Sequence, residues 1–180
     1  FGWSESGAAG ADARRAALAP PPDTYQRLTE KIRVHTPSPS FDTLVNGWLL
    51  YQTAASRVDA KTGYFQSGGA TGFRDQLQDM LAFLLIEPER VREHILLCAS
   101  RQFAEGDVLH WWHPEAIGVR THMSDDLLFL AFLTLQYIRV TGDDTILFEK
   151  AHYLASVEIP EGQHDLYQSF SASPLCEPLL

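Results

Sequence analysis

The chain has 180 residues, 45% of them hydrophobic, which is enough for one domain with its own core. A formal net charge of −9 argues against a surface for nucleic acid or anionic membranes, and two cysteines are too few for a disulfide framework. No apolar run approaches the roughly 20 residues of a membrane-spanning helix, and no signal peptide is recognisable. This composition favours a soluble, cytoplasmic protein that binds no nucleic acid.

The first 35 residues (1–35) are expected to form a linker with one connecting helix. Prolines at 20–22 favour an extended chain, and Asp23 can cap a short helix over roughly 24–34. Residues 36–180 are expected to form one domain. Because the chain does not begin with methionine and its last residues show no periodic pattern, we expect it to be a piece of a longer protein.

Hydrophobic spacing after residue 40 predicts helices and no strands, so the expected fold class is all-α. In the first helix, Phe41 and Trp48 belong to a set of apolar residues that would lie on one buried face. Pro88 can occupy the first position of the third helix, and Gly142 can end the fourth. The five predicted helices cover about 41–55, 72–86, 88–103, 125–140 and 143–150.

The lengths of the connections predict where a site lies. Two long loops, about 58–71 and 104–123, alternate with tight breaks after the second and fourth helices. Because consecutive antiparallel helices place every long loop at the same end, the segments Tyr64–Asp79 and His110–Asp126 are predicted to face one another across a ligand pocket. A ring of helical hairpins and a plain antiparallel bundle both fit this alternation.

The first turn of the predicted second helix holds Arg74, Asp75 and Gln76, which are candidate contacts for sugar hydroxyls. A hydroxyl both donates and accepts hydrogen bonds, so a paired cation and carboxylate suit it. The preceding glycines, Gly68-Gly69 and Gly72, indicate close approach of the backbone to a ligand. The alternative is a solvated first turn, in which the helix dipole favours the acidic side chain.

A second group of candidates lies in the other long loop, in the run His110-Trp111-Trp112-His113-Pro114. Indole faces pack on the apolar faces of pyranose rings, so Trp112 and His113 are candidate sugar contacts. The alternative is that the tryptophans anchor the loop in the core. With His122 the chain offers three histidines here, but they form no complete set with a recognised zinc spacing, and no metal site is predicted.

Two adjacent carboxylates, Asp125 and Asp126, follow Ser124 at the start of the predicted fourth helix. Ser124 is the expected cap, and the helix dipole favours acids after it, but two carboxylates beside Arg120 exceed what a cap requires. Neighbouring helical residues diverge by about 100°, so one of the two is expected to face the pocket. They are not an obvious acid–base pair, because glycosidases hold their carboxylates a defined distance apart.

These segments resemble the inverting glucoside phosphorylases of glycoside hydrolase family 94 over about residues 36–168. The form His-Trp-Trp-His-Pro is most similar to the phosphorylase-like region of cyclic β-1,2-glucan synthases, whereas cellobiose and chitobiose phosphorylases look more distant. The resemblance is carried, in chain order, by the runs Trp48–Gln52, Gln66–Gly69, Gly72–Asp79, Glu105–Val108, His110–Pro114, Gly118–Thr121 and Ser124–Leu128.

The resemblance implies an incomplete (α/α)6 barrel, of which residues 36–180 form the truncated N-terminal part. It implies reversible phosphorolysis of a β-glucoside, with inorganic phosphate as co-substrate and no cofactor. Arg120 matches a family position at the phosphate site, and Asp126, with Asp125, matches one that holds hydroxyls of the bound glucosyl unit. The implied partners are a β-glucan or glucosyl disaccharide and the remainder of the barrel.

One departure from the family pattern concerns catalysis. The Asp-Trp-Asn-Asp type motif that carries the family's general acid does not occur in this sequence, so no catalytic residue is assigned and the chain alone is expected not to turn over. A non-catalytic glycan-binding or helical interaction module is the alternative function.

A third possibility is a helical fragment that persists by oligomerising, because one side of the fourth helix would stay unburied. The expected location is cytoplasmic, as a free enzyme or within an inner-membrane synthase.

Overall fold

The computed structural model describes residues 28–60, 68–155 and 157–179. The predicted proline linker, the Asp23 cap and residues 64–67 lie outside these ranges. Residues 28–30 are helical and residues 31–38 are not, so the connecting helix ends before the predicted residue 34.

The first helical stretch begins at Pro39, directly after the N-cap Ser38, and runs without a break to Val58. Its predicted buried face is wrong, because Phe41 is 50% exposed and Trp48 is 53% exposed. The stretch alternates between α-helical and wider π-helical turns, in the order α1 (Pro39–Thr43), a π-turn (Leu44–Trp48), α2 (Leu49–Gln52) and a second π-turn (Thr53–Val58).

Local capping chemistry placed the ends of the later helices well. Pro88 occupies the first turn of its helix, and Gly142, at φ 74°, ends the next one while its N–H donates to the Ile138 carbonyl. The N-cap of that last helix is Asp125 rather than the predicted Ser124. The elements are α3 (Phe73–Asp79), a 3₁₀ turn (Met80–Phe83), α4 (Pro88–Ala99), α5 (Asp126–Thr141) and a 3₁₀ turn (Thr145–Phe148) in place of the fifth predicted helix.

The all-α fold class is wrong, because the described residues contain two antiparallel sheets. A four-stranded sheet has the strand order β1-β2-β3-β5, and a two-stranded sheet pairs β4 with β6. The strands are β1 (Thr71–Gly72), β2 (Leu109–His113), β3 (Ile117–Thr121), β4 (Lys150–Leu154), β5 (Asp165–Ser169) and β6 (Ala172–Pro178).

The second long loop predicted from the sequence is in fact a β2–β3 hairpin with a bulge. Leu109 pairs with Arg120 and Trp111 pairs with Val119, which leaves His110 as an extra residue on β2. The bulge disrupts the two-residue alternation of buried and exposed side chains that would have marked the strand. A short 3₁₀ turn, Pro114–Ala116, closes the hairpin.

The core lies between the three longer helices and the hairpin. Fully buried side chains come from α3 (Phe73 and Leu77), α4 (Ile95), α5 (Leu133) and β2 (Leu109). The helices here share their core with a sheet. The incomplete (α/α)6 barrel, predicted as an all-α fold, is therefore wrong as a description of this part of the chain, which mixes helices and strands.

One face of α5 carries large apolar side chains that the described chain leaves about half exposed. Leu128 is 67% exposed, Phe132 45% and Leu135 55%, and their spacing places them on one side of the helix. An unburied side of this helix is what the sequence predicted, and self-association through it stays a prediction. Among the described residues, no helix combines the length and apolar character needed to cross a membrane.

The hairpin gives a stability prediction at Gly118. A Cβ there would lie 2.3 Å from the Trp111 carbonyl oxygen and 2.9 Å from Trp112 Cα, so Gly118→Ala must push the two strands apart. We expect a loss of about 1–3 kcal/mol in the free energy of unfolding, measured by urea denaturation.

The matched control is Gly47→Ala in the first helical stretch, where an added Cβ meets nothing within 4 Å. Because alanine favours helix, this variant should keep its stability or gain about 0.5–1 kcal/mol. Equal unfolding free energies for the two alanine variants would contradict the close approach of the strands.

Candidate functional site

The two candidate segments meet because β1 pairs with β2. Thr71 pairs with Trp112 and Gly72 pairs with Trp111. Gly72 is also the N-cap of α3, so the first turn of that helix starts beside the hairpin. From residue 68 onward the two segments lie next to one another, although the cause is strand pairing and not the alternation of loop lengths. That they enclose a ligand pocket stays a prediction.

Arg74 bridges the N-terminal turns of α3 and α5. Its guanidinium forms a close ion pair with Asp125, lies 3.8 Å from the Asp75 carboxylate and sits 5.8 Å from the centre of the Phe129 ring. The hydrogen bond from Arg74 to Asp125 and the charge of that carboxylate raise the pKa of Arg74. Since both partners are partly exposed, the pair presents a cation and an anion to solvent side by side.

Asp126 lies behind this pair and is almost inaccessible, with 1% of its surface exposed. Its Oδ2 is 2.7 Å from Nδ1 of His110, the residue that the bulge inserts into β2. Burial raises the pKa of the Asp126 carboxyl, and the contact with His110 opposes that rise. Arg74, Asp75, His110, Asp125 and Asp126 are called the polar cluster below.

Asp125 and Asp126 divide as the helix geometry predicted, with one exposed and one buried carboxylate. The Asp125 side chain is 49% exposed and the Asp126 side chain 2%, whereas the family resemblance had put Asp126 first as the contact for glucosyl hydroxyls. That role of Asp126 stays a prediction. Asp125 lies on the open side with Arg74, and Asp126 is covered by His110.

A shallow depression of about 320 Å³ lies next to the polar cluster. Trp111 forms its aromatic wall, with ring centres 5.5 Å from His113 and 5.6 Å from Tyr167 on β5. Asp75 joins the polar cluster to the depression. The lining residues are Gly68, Ala70, Gly72, Asp75, Trp111 and His113.

Trp112, the tryptophan chosen from the sequence, is a core residue. It is 4% exposed and meets Phe73 edge to face at 6.4 Å. The alternative interpretation of the tryptophans as anchors therefore describes Trp112, and Trp111 is the indole beside the depression. Trp111 shares a strand face with His113, a relation that the sequence could not show because the bulge at His110 hides the strand.

Gln76 is not brought to the polar cluster. It is 5% exposed and lines a different cleft together with Arg90 and His94 of α4. Residues two apart on a helix point about 200° away from each other, so Arg74 and Gln76 cannot share a face. Of the three residues predicted in this turn, Arg74 and Asp75 lie in the polar cluster and Gln76 does not.

Arg120 is buried, and its guanidinium is already well supplied with acceptors. Nε and Nη2 donate to the two Asp107 carboxylate oxygens at 2.6 and 2.7 Å, and Nη1 donates to the Val157 carbonyl at 2.9 Å. Nη2 also reaches Glu105 at 3.3 Å, and the group stacks 4.0 Å from the centre of the Phe103 ring. A phosphate oxygen would have to displace one of these contacts. The phosphate-binding role of Arg120 stays a prediction.

Comparison with known proteins decides the family. Residues 24–169 match the family model described as "Glycosyl hydrolase 94 superfamily, catalytic domain". The chain belongs to the glycosyl hydrolase 94 superfamily. It therefore carries catalytic-domain sequence of a family of carbohydrate-active enzymes, and the resemblance noted from the sequence motifs is confirmed.

Three relatives show how this glycosyl hydrolase 94 chain compares with longer proteins. It is 44% identical to the cyclic beta-(1,2)-glucan synthase NdvB of Rhizobium meliloti (strain 1021), over 87% of the chain and 6% of that protein. It is 25% identical to the N,N'-diacetylchitobiose phosphorylase of Vibrio furnissii, over 83% of the chain and 22% of the relative. Identity to the solabiose phosphorylase of Paenibacillus borealis is 31%, over 71% of the chain and 15% of the relative. The chain thus spans under a quarter of each.

The three histidines between residues 110 and 122 of this glycosyl hydrolase 94 chain have separate surroundings. His110 contacts Asp126, and His113 packs against Trp111, while His122 lies exposed after β3. Within residues 28–60, 68–155 and 157–179, no group of three or more His, Cys, Asp and Glu side chains is placed to hold a metal ion.

The buried carboxyl of Asp126 gives a pH-dependence prediction. Burial raises its folded-state pKa above the ordinary value of 3.8, so the folded protein keeps a proton that the unfolded chain has already released. The contribution of this proton to the free energy of unfolding is fully present below the ordinary pKa and is lost as the pH rises through the folded-state pKa. Asparagine does not ionise, so Asp126→Asn does not lose this contribution. The free energy of unfolding of the variant, relative to that of the wild type, should therefore increase between pH 3.8 and neutral pH.

Urea unfolding at several pH values measures this gain. Asp125→Asn is the matched control, because the Asp125 side chain is 49% exposed and pairs with Arg74, so its replacement should give no such gain at neutral pH. A stability difference between Asp126→Asn and the wild type that does not change with pH would contradict the prediction.

Proposed function

We propose that this chain forms one wall of a binding site for β-linked glucose units, within a domain that cleaves or transfers glucosyl groups by phosphorolysis or transglycosylation. The observation that carries the proposal is the depression beside Trp111 and its continuity with the polar cluster through Asp75. The names of the three relatives support a carbohydrate ligand, since one is a β-1,2-glucan synthase and two are disaccharide phosphorylases.

The chemistry of the depression suits a pyranose ring. Trp111 lines the depression and supplies an apolar aromatic surface for the carbon-bound face of the sugar, and Tyr167, with its ring centre 5.6 Å away, packs against that indole. Arg74 carries donors only, and the Asp75 and Asp125 carboxylates are acceptors. Side by side, these groups match sugar hydroxyls, which donate and accept hydrogen bonds at once. Hydrogen bonds to charged groups are also stronger than those between neutral groups.

Inorganic phosphate is the co-substrate we propose for the complete domain. Arg120 is the proposed phosphate contact carried over from the family pattern. Its contact with Glu105, at 3.3 Å to a half-exposed carboxylate, is longer than its contacts with Asp107 and Val157 and is the easiest of the three for an anion to replace. Asp107 would stay bound and keep the guanidinium oriented.

We propose that the chain binds sugar but does not turn over by itself. A general acid must reach the leaving oxygen with a proton to give. Asp126 has the raised pKa that such a group needs, but its carboxyl is covered by His110, and Asp125 is occupied by Arg74. The acid-bearing motif of the family does not occur in the sequence.

This gives an activity prediction. The purified chain, incubated with β-1,2-linked glucooligosaccharides and inorganic phosphate, should release no glucose 1-phosphate above a protein-free blank. A coupled enzymatic assay measures the release of glucose 1-phosphate. Release that scales with protein concentration would overturn the prediction.

Titration calorimetry with a β-1,2-linked glucooligosaccharide tests the binding site itself. Trp111→Ala removes the aromatic wall, and the loss of about 1.4 kcal/mol expected for such a contact corresponds to roughly tenfold weaker binding. Trp48→Ala is the matched control, because Trp48 is an exposed indole of the first helical stretch that stacks on Tyr51.

The control variant should bind with wild-type affinity. No measurable binding by the wild-type chain would sink the proposed site, and an equal loss in both tryptophan variants would place the ligand elsewhere.

A further inference from the structure

The starting point is a carboxylate with little access to solvent. The Asp126 side chain is 2% exposed, and His110 lies across its Oδ2 at 2.7 Å. Direct contact between Oδ2 of Asp126 and a sugar hydroxyl would require His110 to leave. The polar group that stands between Asp126 and solvent is therefore the His110 imidazole, whose side chain is 36% exposed.

The backbone is built to place this imidazole. Leu109 and His110 both lie opposite Arg120, and this bulge turns the His110 side chain out of the regular alternation of β2. Its neighbours in the strand have other surroundings, since Leu109 is fully buried and Trp111 faces Tyr167. A regular strand would not deliver a side chain from position 110 to the start of α5.

Hydrogen-bond chemistry then fixes the ring. A carboxylate can only accept, so whenever the imidazole is neutral its proton lies on the Nδ1 that faces Asp126. The other nitrogen, Nε2, is left with a lone pair on the far side of the ring from the buried carboxylate. Without His110, the exposed groups that the polar cluster offers to a ligand are one donor, Arg74, and two acceptors, Asp75 and Asp125.

We propose that His110 is a sugar-contacting residue of this site, whose Nε2 accepts a hydrogen bond from a sugar hydroxyl, and that Asp126 is a positioning residue that acts through it. The proposal rests on the proposed function, because it names a further contact for the same glucose unit. It assigns Asp126 the task of setting the tautomer and orientation of the ring, and it assigns contact with the ligand to His110.

Two replacements of His110 separate the two ends of the ring. In His110→Asn the amide nitrogen can take the place of Nδ1 and keep the hydrogen bond to Asp126, but nothing replaces Nε2. In His110→Gln the longer amide can reach the position of Nε2, but the contact with Asp126 is lost. His122→Gln, at an exposed histidine after β3, is the matched control.

Calorimetry with a β-1,2-linked glucooligosaccharide reads the ligand-facing end. His110→Asn should keep the wild-type unfolding midpoint and bind roughly tenfold more weakly, as expected for one lost hydrogen bond. His122→Gln should match the wild type in both. Wild-type affinity in His110→Asn would overturn the proposal, because a residue that only anchors Asp126 would be replaced without loss.

The tautomer is read independently of any ligand by nitrogen-15 NMR of the histidine rings, with the His110 signals assigned by their loss in His110→Asn. In the neutral ring we expect a protonated Nδ1 and an unprotonated Nε2, and we expect Asp126→Asn to lose this preference because an amide can either donate or accept. A protonated Nε2 in the wild type would overturn the proposal.

The two measurements distinguish the possible failures. If the wild type binds no glucooligosaccharide, the proposed function fails and the ligand-facing role of His110 fails with it. The NMR result then still decides whether Asp126 sets the tautomer. If the wild type binds and His110→Asn binds equally well, the proposed function stands and this inference alone is wrong.

Discussion

The pairing of β1 with β2 is the constraint on which the candidate site depends. Two residues, Thr71 and Gly72, join the four-stranded sheet, and Gly72 at once becomes the N-cap of α3. This short strand therefore fixes where the first turn of the helix begins relative to the hairpin. The ion pair between Arg74 and Asp125 then ties that turn to the start of α5. Without the strand pairing, Arg74 would have no fixed position beside the hairpin.

Burial divides the polar groups of the site into supporting and exposed members. Asp126 and Arg120 are both almost fully buried, and each is held by partners from the same chain, His110 for the first and Asp107 for the second. Buried charges are costly unless they are paired, so these contacts stabilise the hairpin as well as the site. The half-exposed pair of Arg74 and Asp125 is the part that solvent, and hence a ligand, can reach.

Local chemistry in the sequence was enough to place the start of α4 and the end of α5, because Pro88 and Gly142 act through their own backbone preferences. It was also enough to recognise the family and to place the two candidate segments opposite each other. The strands were not predictable by periodicity, because β1 has only two residues and the bulge at His110 disturbs the alternation in β2. Because β2 was not predicted, the sequence could not show on which face each indole lies. Trp112 was therefore chosen instead of Trp111.

The central claim is that β1, the start of α3, the bulged strand β2 and the start of α5 together form one sugar site. Backbone NMR of the nitrogen-15-labelled chain, titrated with a β-1,2-linked glucooligosaccharide, tests it most directly. The account predicts saturable shifts that cluster at residues 71–75, 110–113 and 125–126. Shifts confined to the exposed face of α5, or no shifts at all, would contradict it.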